Sequence, residues 1–121
     1  MPEKASQLWI VRLASQLSDD VSRLVQAWNY LDKKDIGQQL SRAADSIGAN
    51  IVEGYGRHHS LDSLRFYYIA RGSLEETIYW LRRAGNRKLL EERCATKLLS
   101  QYFMLSRSLN SFIRFHQINS R

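Results

Sequence analysis

The chain has 121 residues, with 18 Lys and Arg against 12 Asp and Glu, so its formal net charge at neutral pH is +6. This length fits a single domain with one hydrophobic core, while the lone cysteine, Cys94, excludes a disulfide framework and is compatible with a reducing compartment. The sequence has neither an apolar run of about 18 residues nor a signal-peptide pattern, which predicts a cytoplasmic protein with no membrane partner.

Apolar residues recur at helical spacing in four successive segments. The first segment covers about residues 3–31, where the apolar positions follow the alternating 4-3 spacing typical of a helical bundle. The polar residues 32–35 interrupt this pattern, and Asp35 is a candidate N-cap for the next helix. The second helix covers about residues 36–55 and ends in a Gly-Tyr-Gly sequence, which is a helix stop signal.

The third and fourth segments complete the set. The third helix covers about residues 61–84, with Ser60 as its candidate N-cap, and the fourth covers about residues 90–116. The sequence shows no strand-like alternation, and its one proline lies at the second position, outside any helix interior. Four long amphipathic segments with short connections predict a single all-α domain over residues 1–121, an antiparallel up-down-up-down four-helix bundle.

The second helix carries a polar stripe beside its apolar one. A surface helix usually fills its non-core side with solvated Lys and Glu, whereas this stripe has short polar side chains flanked by small residues. One interpretation is a solvated helix edge. The other is a second packed surface, in which Arg42 and Glu53 are paired. The stripe consists of Arg42, Ser46, Asn50, Glu53 and Arg57.

The third helix is more apolar than a bundle helix of a monomer needs to be. Its apolar residues cover about 180° of the circumference, which is wider than the stripe that faces one core. A wide apolar surface with a polar rim usually marks a protein contact, so this helix and the polar stripe together predict a homo-oligomer. The candidate interface residues on the third helix are Ile69, Gly72, Ser73 and Trp80.

The net positive charge comes entirely from the second half of the chain. Residues 1–60 hold seven cations and seven anions, whereas residues 61–121 hold 11 cations and five anions. Such an excess favours polyanions, nucleic acid above all, through counterion release, although it also fits a charge that serves solubility alone. Cations and small hydroxyls on the outer face of the fourth helix suit phosphate contacts. The candidate nucleic-acid-binding residues are Arg82, Arg83, Arg87, Lys88, Arg93, Lys97, Arg107 and Arg114.

Motifs for catalysis or cofactor binding are missing from the sequence. No Glu-x-x-His pair of the kind used by di-iron bundles occurs, and there is no phosphate-binding loop. Cys94 has no neighbouring His or Cys and fits a small core residue. A helix-turn-helix over residues 43–49 is disfavoured because the apolar stripe continues through Gly48. We therefore expect no enzymatic activity, no cofactor and no metal.

Two stretches of the second and third helices form a distinctive motif. They read Arg42-Ala43-Ala44, Ser46-Ile47, Asn50-Ile51 and Glu53-Gly54-Tyr55-Gly56-Arg57, then Ala70-Arg71-Gly72-Ser73-Leu74-Glu75-Glu76. The motif resembles the four-helix-bundle proteins encoded by intervening sequences of bacterial large-subunit rRNA genes, and the helix layout matches over nearly the whole chain. Val52 stands where that family more often has alanine.

The resemblance implies a bundle that assembles into a ring, typically a pentamer, without known enzymatic activity. A related branch, the accessory variability determinant of diversity-generating retroelements, forms a basic ring that binds nucleic acid and a reverse transcriptase. Two functional hypotheses follow. The first is a non-catalytic, oligomeric accessory protein that binds RNA or DNA, above all structured RNA. The alternative is a protein–protein interaction scaffold, with a partner such as a reverse transcriptase, whose basic charge is incidental.

Overall fold

The computed structural model describes residues 4, 5 and 8–119, which form four long helices and no strand. Helix α1 is Trp9–Gln26. Helix α2 covers residues 30–55 without interruption and consists of α-helical Tyr30–Asp32, π-helical Lys33–Gly37 and α-helical Gln38–Tyr55. Helix α3 is Ser60–Asn86, and helix α4 is Glu92–Asn119. None of these helices is long and apolar enough to cross a membrane.

The four helices pack as an antiparallel up-down-up-down bundle. Helix α2 contacts α1 and α3, helix α4 contacts α3, and α1 contacts α4, which closes the bundle. In each consecutive pair, early residues of one helix lie beside late residues of the other. The pairs that establish this are Ser15 with Gly48, Val25 with Gly37, Tyr67 with Gly54, Ser73 with Ser46, Arg71 with Asn110, and Gly85 with Ala95. The predicted all-α four-helix bundle is therefore confirmed.

The core is built from apolar side chains at the helical spacing read in the sequence. Burial of each large aliphatic or aromatic side chain contributes about 1.5–3 kcal/mol relative to exposure. Helices α2 and α3 approach closely at Gly54, where a Cβ atom would lie 2.7 Å from Cε1 of Tyr67, so only glycine fits there without displacement. The largest fully buried side chains are Leu17, Ile36, Leu40, Ile47, Ile51, Tyr67, Leu74, Leu81, Tyr102, Leu105, Leu109 and Ile113.

The connection between α1 and α2 lies earlier than the sequence pattern predicts. Helix α1 ends at Gln26, and Leu31, expected on its apolar stripe, belongs to the first turn of α2 and is 76 % exposed. The N-cap is Asn29 rather than Asp35, because Asn29 Oδ1 accepts a hydrogen bond of 3.0 Å from the Asp32 amide. Residue 3 lies outside the described residues, but α1 begins at Trp9 with an extended Leu8 as its N-cap, so the predicted start of the first helix near residue 3 is too early.

The connections between α2 and α3 and between α3 and α4 lie close to where the sequence predicts them. Helix α3 begins at Ser60 itself, so Ser60 is the first helical residue and His59 occupies the N-cap position without a side-chain hydrogen bond. Helices α3 and α4 each continue two or three residues beyond the predicted ends. The turn between them, residues 87–91, corresponds to the predicted break between residues 84 and 90.

Candidate functional site

The polar stripe of α2 lies along its junction with α3 and is partly fixed by hydrogen bonds. Asn50 Nδ2 donates to both the carbonyl oxygen and Oγ of Ser46, at 2.8 Å in each case. Ser73 Oγ on α3 donates to the same Ser46 Oγ at 3.0 Å. The structure thus brings together three residues that the sequence analysis assigned to one surface.

Arg57 connects the end of α2 to the beginning of α3. Its Nη2 lies 2.6 Å from Glu53 Oε1 and its Nε 3.7 Å from Asp62 Oδ2. The guanidinium also stacks over the Phe66 ring, 4.6 Å from the ring centroid. Ion pairs this exposed are worth about 0–1 kcal/mol, so their main effect is to orient the stripe rather than to stabilise the fold.

The expected pair of Arg42 with Glu53 is not formed within one chain. Eleven residues of helix separate the two, which is about 16 Å along the axis, and Glu53 binds Arg57 instead. Arg42 is exposed. Its Nη2 donates to the side-chain oxygen of Gln38 at 3.1 Å, in the amide orientation that satisfies both neighbours of Gln38.

The outer face of α3 exposes apolar groups next to this stripe. Ile69 is 46 % exposed, and the half-buried Trp80 contacts the exposed Tyr79 edge-on, with ring centroids 4.9 Å apart. Gly72 lies in the middle of α3, and no atom comes within 4 Å of where its Cβ would be. Glycine in a helix interior costs about 0.5–1 kcal/mol relative to alanine, and no contact in the described chain explains its presence.

Six of the eight candidate nucleic-acid-binding residues surround the α3–α4 turn. Five of the six are exposed, and Arg83 is half-buried. Arg82 also stacks on the Phe103 ring at 5.6 Å. We call this group the basic end, which consists of Arg82, Arg83, Arg87, Lys88, Arg93 and Lys97.

Lys88 holds an unusual backbone conformation at the basic end. Its φ is 61°, in the left-handed region, and no other non-glycine residue among those described has a positive φ. The Lys88 amide donates to the Gly85 carbonyl and the Leu89 amide to the Ala84 carbonyl, both at 3.0 Å. This pair of bonds is the Schellman motif, whose left-handed position is normally glycine.

The basic end also contains acidic groups and a depression of about 760 Å³ between α3 and α4. Arg82, Lys88 and Glu92 line the depression. Arg87 Nη1 lies 3.5 Å from Asp35 Oδ2, which joins the first turns of α2 to the α3–α4 turn. The surface is therefore basic on balance but not uniformly positive.

Arg107 and Arg114 are not part of the basic end. Both are exposed on α4, but Arg114 follows Arg93 by 21 residues, which is about 30 Å of helix. The structure thus separates the eight predicted residues into a group of six around one turn and two isolated cations farther along α4.

The sequence analysis missed residues that the structure places beside the basic end. Tyr30, Lys33 and Lys34 are exposed in the first turns of α2, close to the contact between Asp35 and Arg87. The sequence pattern assigned Tyr30 to the first helix. An N-cap signal was present, since Asn29 is followed three residues later by the acidic Asp32.

Burial shifts the pKa of three titratable groups, and it raises that of Tyr67 to about 12. Burial raises the pKa of Tyr102, with a contribution from Asp20 and Asp45, and its hydroxyl has no hydrogen-bond partner among the described residues. Burial lowers the pKa of His116, which packs against aromatic rings at the end of α4. Within residues 4, 5 and 8–119, no three His, Cys, Asp or Glu side chains are grouped so as to hold a metal ion.

Comparison with known proteins places this geometry in context. The family model described as 23S rRNA-intervening sequence protein matches residues 6–111. A crystal structure of a protein of unknown function from the S23 ribosomal protein family of Bacteroides thetaiotaomicron superposes with a TM-score of 0.80 at 21 % identity. The match covers 86 % of this chain and 97 % of that one, and at this identity it shows the fold alone. No curated protein matches the chain.

Proposed function

The chain belongs to the family of 23S rRNA-intervening sequence proteins, and from this premise we propose that it is a cytoplasmic, non-catalytic homo-oligomer that binds structured RNA. The subunits associate through the α2 polar stripe and the outer face of α3. The RNA is bound at the basic end, which assembly repeats on every subunit. A ring of five subunits, as the family resemblance implies, is the arrangement we propose.

The observation that favours assembly is the outer face of α3. Gly72 leaves open space at mid-helix, beside the exposed Ile69 and the ordered Ser46–Ser73 contact. A helix of a second subunit could approach the backbone at Gly72 closely, which would offset the conformational cost of a glycine there. A surface with apolar groups and a polar rim fits a protein contact better than it fits solvent.

The observation that carries RNA binding is the group of cations at the α3–α4 turn. Exposed Arg and Lys neutralise phosphates and release counterions, which yields affinity with little sequence preference. One subunit offers a modest patch, interrupted by Glu92 and Asp35. Repetition around an oligomer multiplies that patch, so affinity increases without new contacts.

The same interruptions favour a second candidate, an interaction scaffold. Arg87 is already in contact with Asp35, and Glu92 lines the same depression as Lys88. If these pairs neutralise the surface, the charge is incidental and the exposed apolar residues of α3 bind a protein partner such as a reverse transcriptase. The two candidates differ in whether RNA binds at low salt.

The test is a titration of structured RNA at several salt concentrations with the wild type and two double variants. Arg87→Ala/Lys88→Ala removes two cations from the basic end. Arg12→Ala/Arg65→Ala removes two exposed cations from the opposite end and is the charge-matched control. We expect the first variant to weaken binding to all RNAs and to reduce the salt slope by about two, since about one unit is lost per phosphate contact. The control should bind as the wild type does.

Two results would reject RNA binding at this surface. Absence of binding by the wild type at low salt leaves the scaffold as the function. Equal loss in the two double variants shows that only net charge matters, so the basic end has no special role.

A further inference from the structure

An exposed aromatic ring lies next to lysines where α2 begins, beside the basic end. We propose that Tyr30 is a stacking platform for an unpaired base and that Lys33 and Lys34 bind the adjoining phosphates. This inference rests on the proposed RNA binding and narrows it, because the ligand is then a single-stranded stretch such as a hairpin loop, rather than duplex RNA.

The ring is held on a fixed element although it faces solvent. Tyr30 is 66 % exposed and is the first residue of α2. The helix start is secured by Asn29, whose Oδ1 accepts from the Asp32 amide at 3.0 Å and whose Nδ2 donates to Asp32 Oδ2 at 2.8 Å. The capped helix start fixes the backbone that carries the ring, so only the rotation of the Tyr30 side chain is restricted when a base stacks on it.

The charges around the ring are arranged for phosphate. Lys34 Nζ lies 5.3 Å from the centroid of the Tyr30 ring, and Lys33 is exposed beside it. The two carboxylates nearby are engaged, Asp32 by Asn29 and Asp35 by Arg87. Neither lysine forms an ion pair with any residue in the described part of the chain.

The position of the ring connects it to the basic end. The contact of Asp35 with Arg87 brings the first turns of α2 against the α3–α4 turn, so Tyr30, Lys34 and Lys88 belong to the same end of the bundle. Proteins that bind single strands combine such cations with aromatic rings on which bases stack. The faces of bases are accessible in loops and are covered in a duplex. This combination of cations and an aromatic ring therefore favours unpaired RNA.

The experiment measures binding of the full chain to two labelled RNAs by fluorescence anisotropy. One RNA is a hairpin with a uridine loop, and the other is a blunt duplex with the same stem. The variants are Tyr30→Ala, Tyr30→Phe and Leu31→Ala. Leu31 is the matched control, since it is the next residue, is 76 % exposed and has no aromatic face.

We expect Tyr30→Ala to weaken hairpin binding about tenfold, in the range known for loss of one stacked base, and to leave duplex binding within about twofold of the wild type. Its salt slope stays unchanged because no phosphate contact is removed. Tyr30→Phe keeps the ring and binds like the wild type, as does Leu31→Ala. Circular dichroism of each variant verifies that the helical content is retained.

Each other outcome rejects a defined part of the proposal. If Tyr30→Ala binds the hairpin as tightly as the wild type, or loses the duplex equally, the stacking platform is wrong while RNA binding stands. Equal loss in Leu31→Ala indicates a general apolar contact and likewise rejects stacking. If the wild type binds neither RNA at low salt, the proposed function fails and this inference fails with it.

Discussion

Lys88 shows how a single residue can be placed against its backbone preference. A side chain in the left-handed region costs about 1 kcal/mol, and at the end of α3 a glycine would make the same two hydrogen bonds without that cost. The lysine is exposed and lines the depression at the basic end. We infer that its charge, rather than its conformation, accounts for its presence.

Two substitutions separate the charge of Lys88 from its strain. Lys88→Gly removes both, so it should raise the free energy of unfolding by about 1 kcal/mol and weaken RNA binding. Lys88→Ala removes only the charge, so it should weaken RNA binding equally without that gain in stability. Urea unfolding at one fixed protein concentration measures the first quantity. A Lys88→Gly protein no more stable than Lys88→Ala would show that the strain is absent.

His116 is a second residue with a measurable consequence. Its ring lies 4.4 Å from Phe112 and 5.1 Å from Tyr67, between centroids, and burial lowers its pKa from the ordinary 6.5. The unfolded chain then binds the proton more readily than the folded one. Stability is therefore full above the unfolded pKa and decreases as the pH falls through 6.5 toward the folded pKa.

The pH effect is tested by thermal melts at about pH 7.5 and about pH 5.5, a window that covers histidine and avoids most carboxylate titration. The wild type should melt at a lower temperature in the more acidic buffer. His116→Phe keeps an aromatic ring in the cluster and should reduce this difference. If the difference is the same in both proteins, other groups titrate and His116 is not responsible.

At the scale of elements, glycines set the spacing of α2 from its neighbours. A Cβ at Gly54 would lie 2.7 Å from Tyr67 Cε1 and 2.9 Å from the Ser63 carbonyl oxygen on α3. At Gly48 the nearest atoms, on Ser15 and Ala14 of α1, are 3.7 and 3.8 Å away, which is ordinary contact. Glycine is therefore required at Gly54, where α2 meets α3, but not at Gly48, where α2 meets α1.

This difference predicts opposite effects for the same substitution in one helix. Gly54→Ala should destabilise the bundle by about 1–3 kcal/mol, because the added methyl group overpacks the α2–α3 junction. Gly48→Ala should stabilise it by about 0.5–1 kcal/mol, because it restricts the unfolded chain and fills available space. Urea unfolding of both proteins measures the pair. Equal effects would mean that the α2–α3 junction relaxes to accept the methyl group.

The sequence predicted most helices because their apolar spacing is local. Leu40, Ile47 and Ile51 are buried as their helical spacing implied. The α1–α2 turn was misplaced because Leu31 continues the spacing of α1 by coincidence. Only the chain reversal at residues 27–29, marked by the Asn29 cap, shows that Leu31 belongs to another helix.

The residues of the candidate site were likewise predictable only where they are close to one another in the sequence. The cations around the α3–α4 turn were predictable because they are close in sequence. Tyr30 and Lys34 were not, since their place at the same end of the bundle depends on how the first turns of α2 pack against that turn, through the contact of Asp35 with Arg87. The separation of Arg114 from the basic end likewise follows from the length of α4 rather than from residue type.

At the scale of the whole molecule, the proposed function depends on assembly. One subunit has a small basic end with interspersed acids and an outer α3 face with exposed Ile69 and Tyr79. An oligomer would cover the exposed apolar residues of α3 and would repeat the basic end on every subunit. RNA binding should therefore fall when assembly is broken, even in a variant that retains every Arg and Lys.

The mass in solution, measured by multi-angle light scattering at micromolar concentration, tests assembly most directly. Ile69→Lys places a charge on the proposed interface, and Leu61→Lys, at a position 78 % exposed near the start of the same helix, is its matched control. We expect about 70 kDa for the wild type and for Leu61→Lys, five times the 14.1 kDa of one chain, and a lower mass for a folded Ile69→Lys. A wild-type mass of 14.1 kDa would contradict the proposed oligomer and, with it, RNA binding by a repeated basic end.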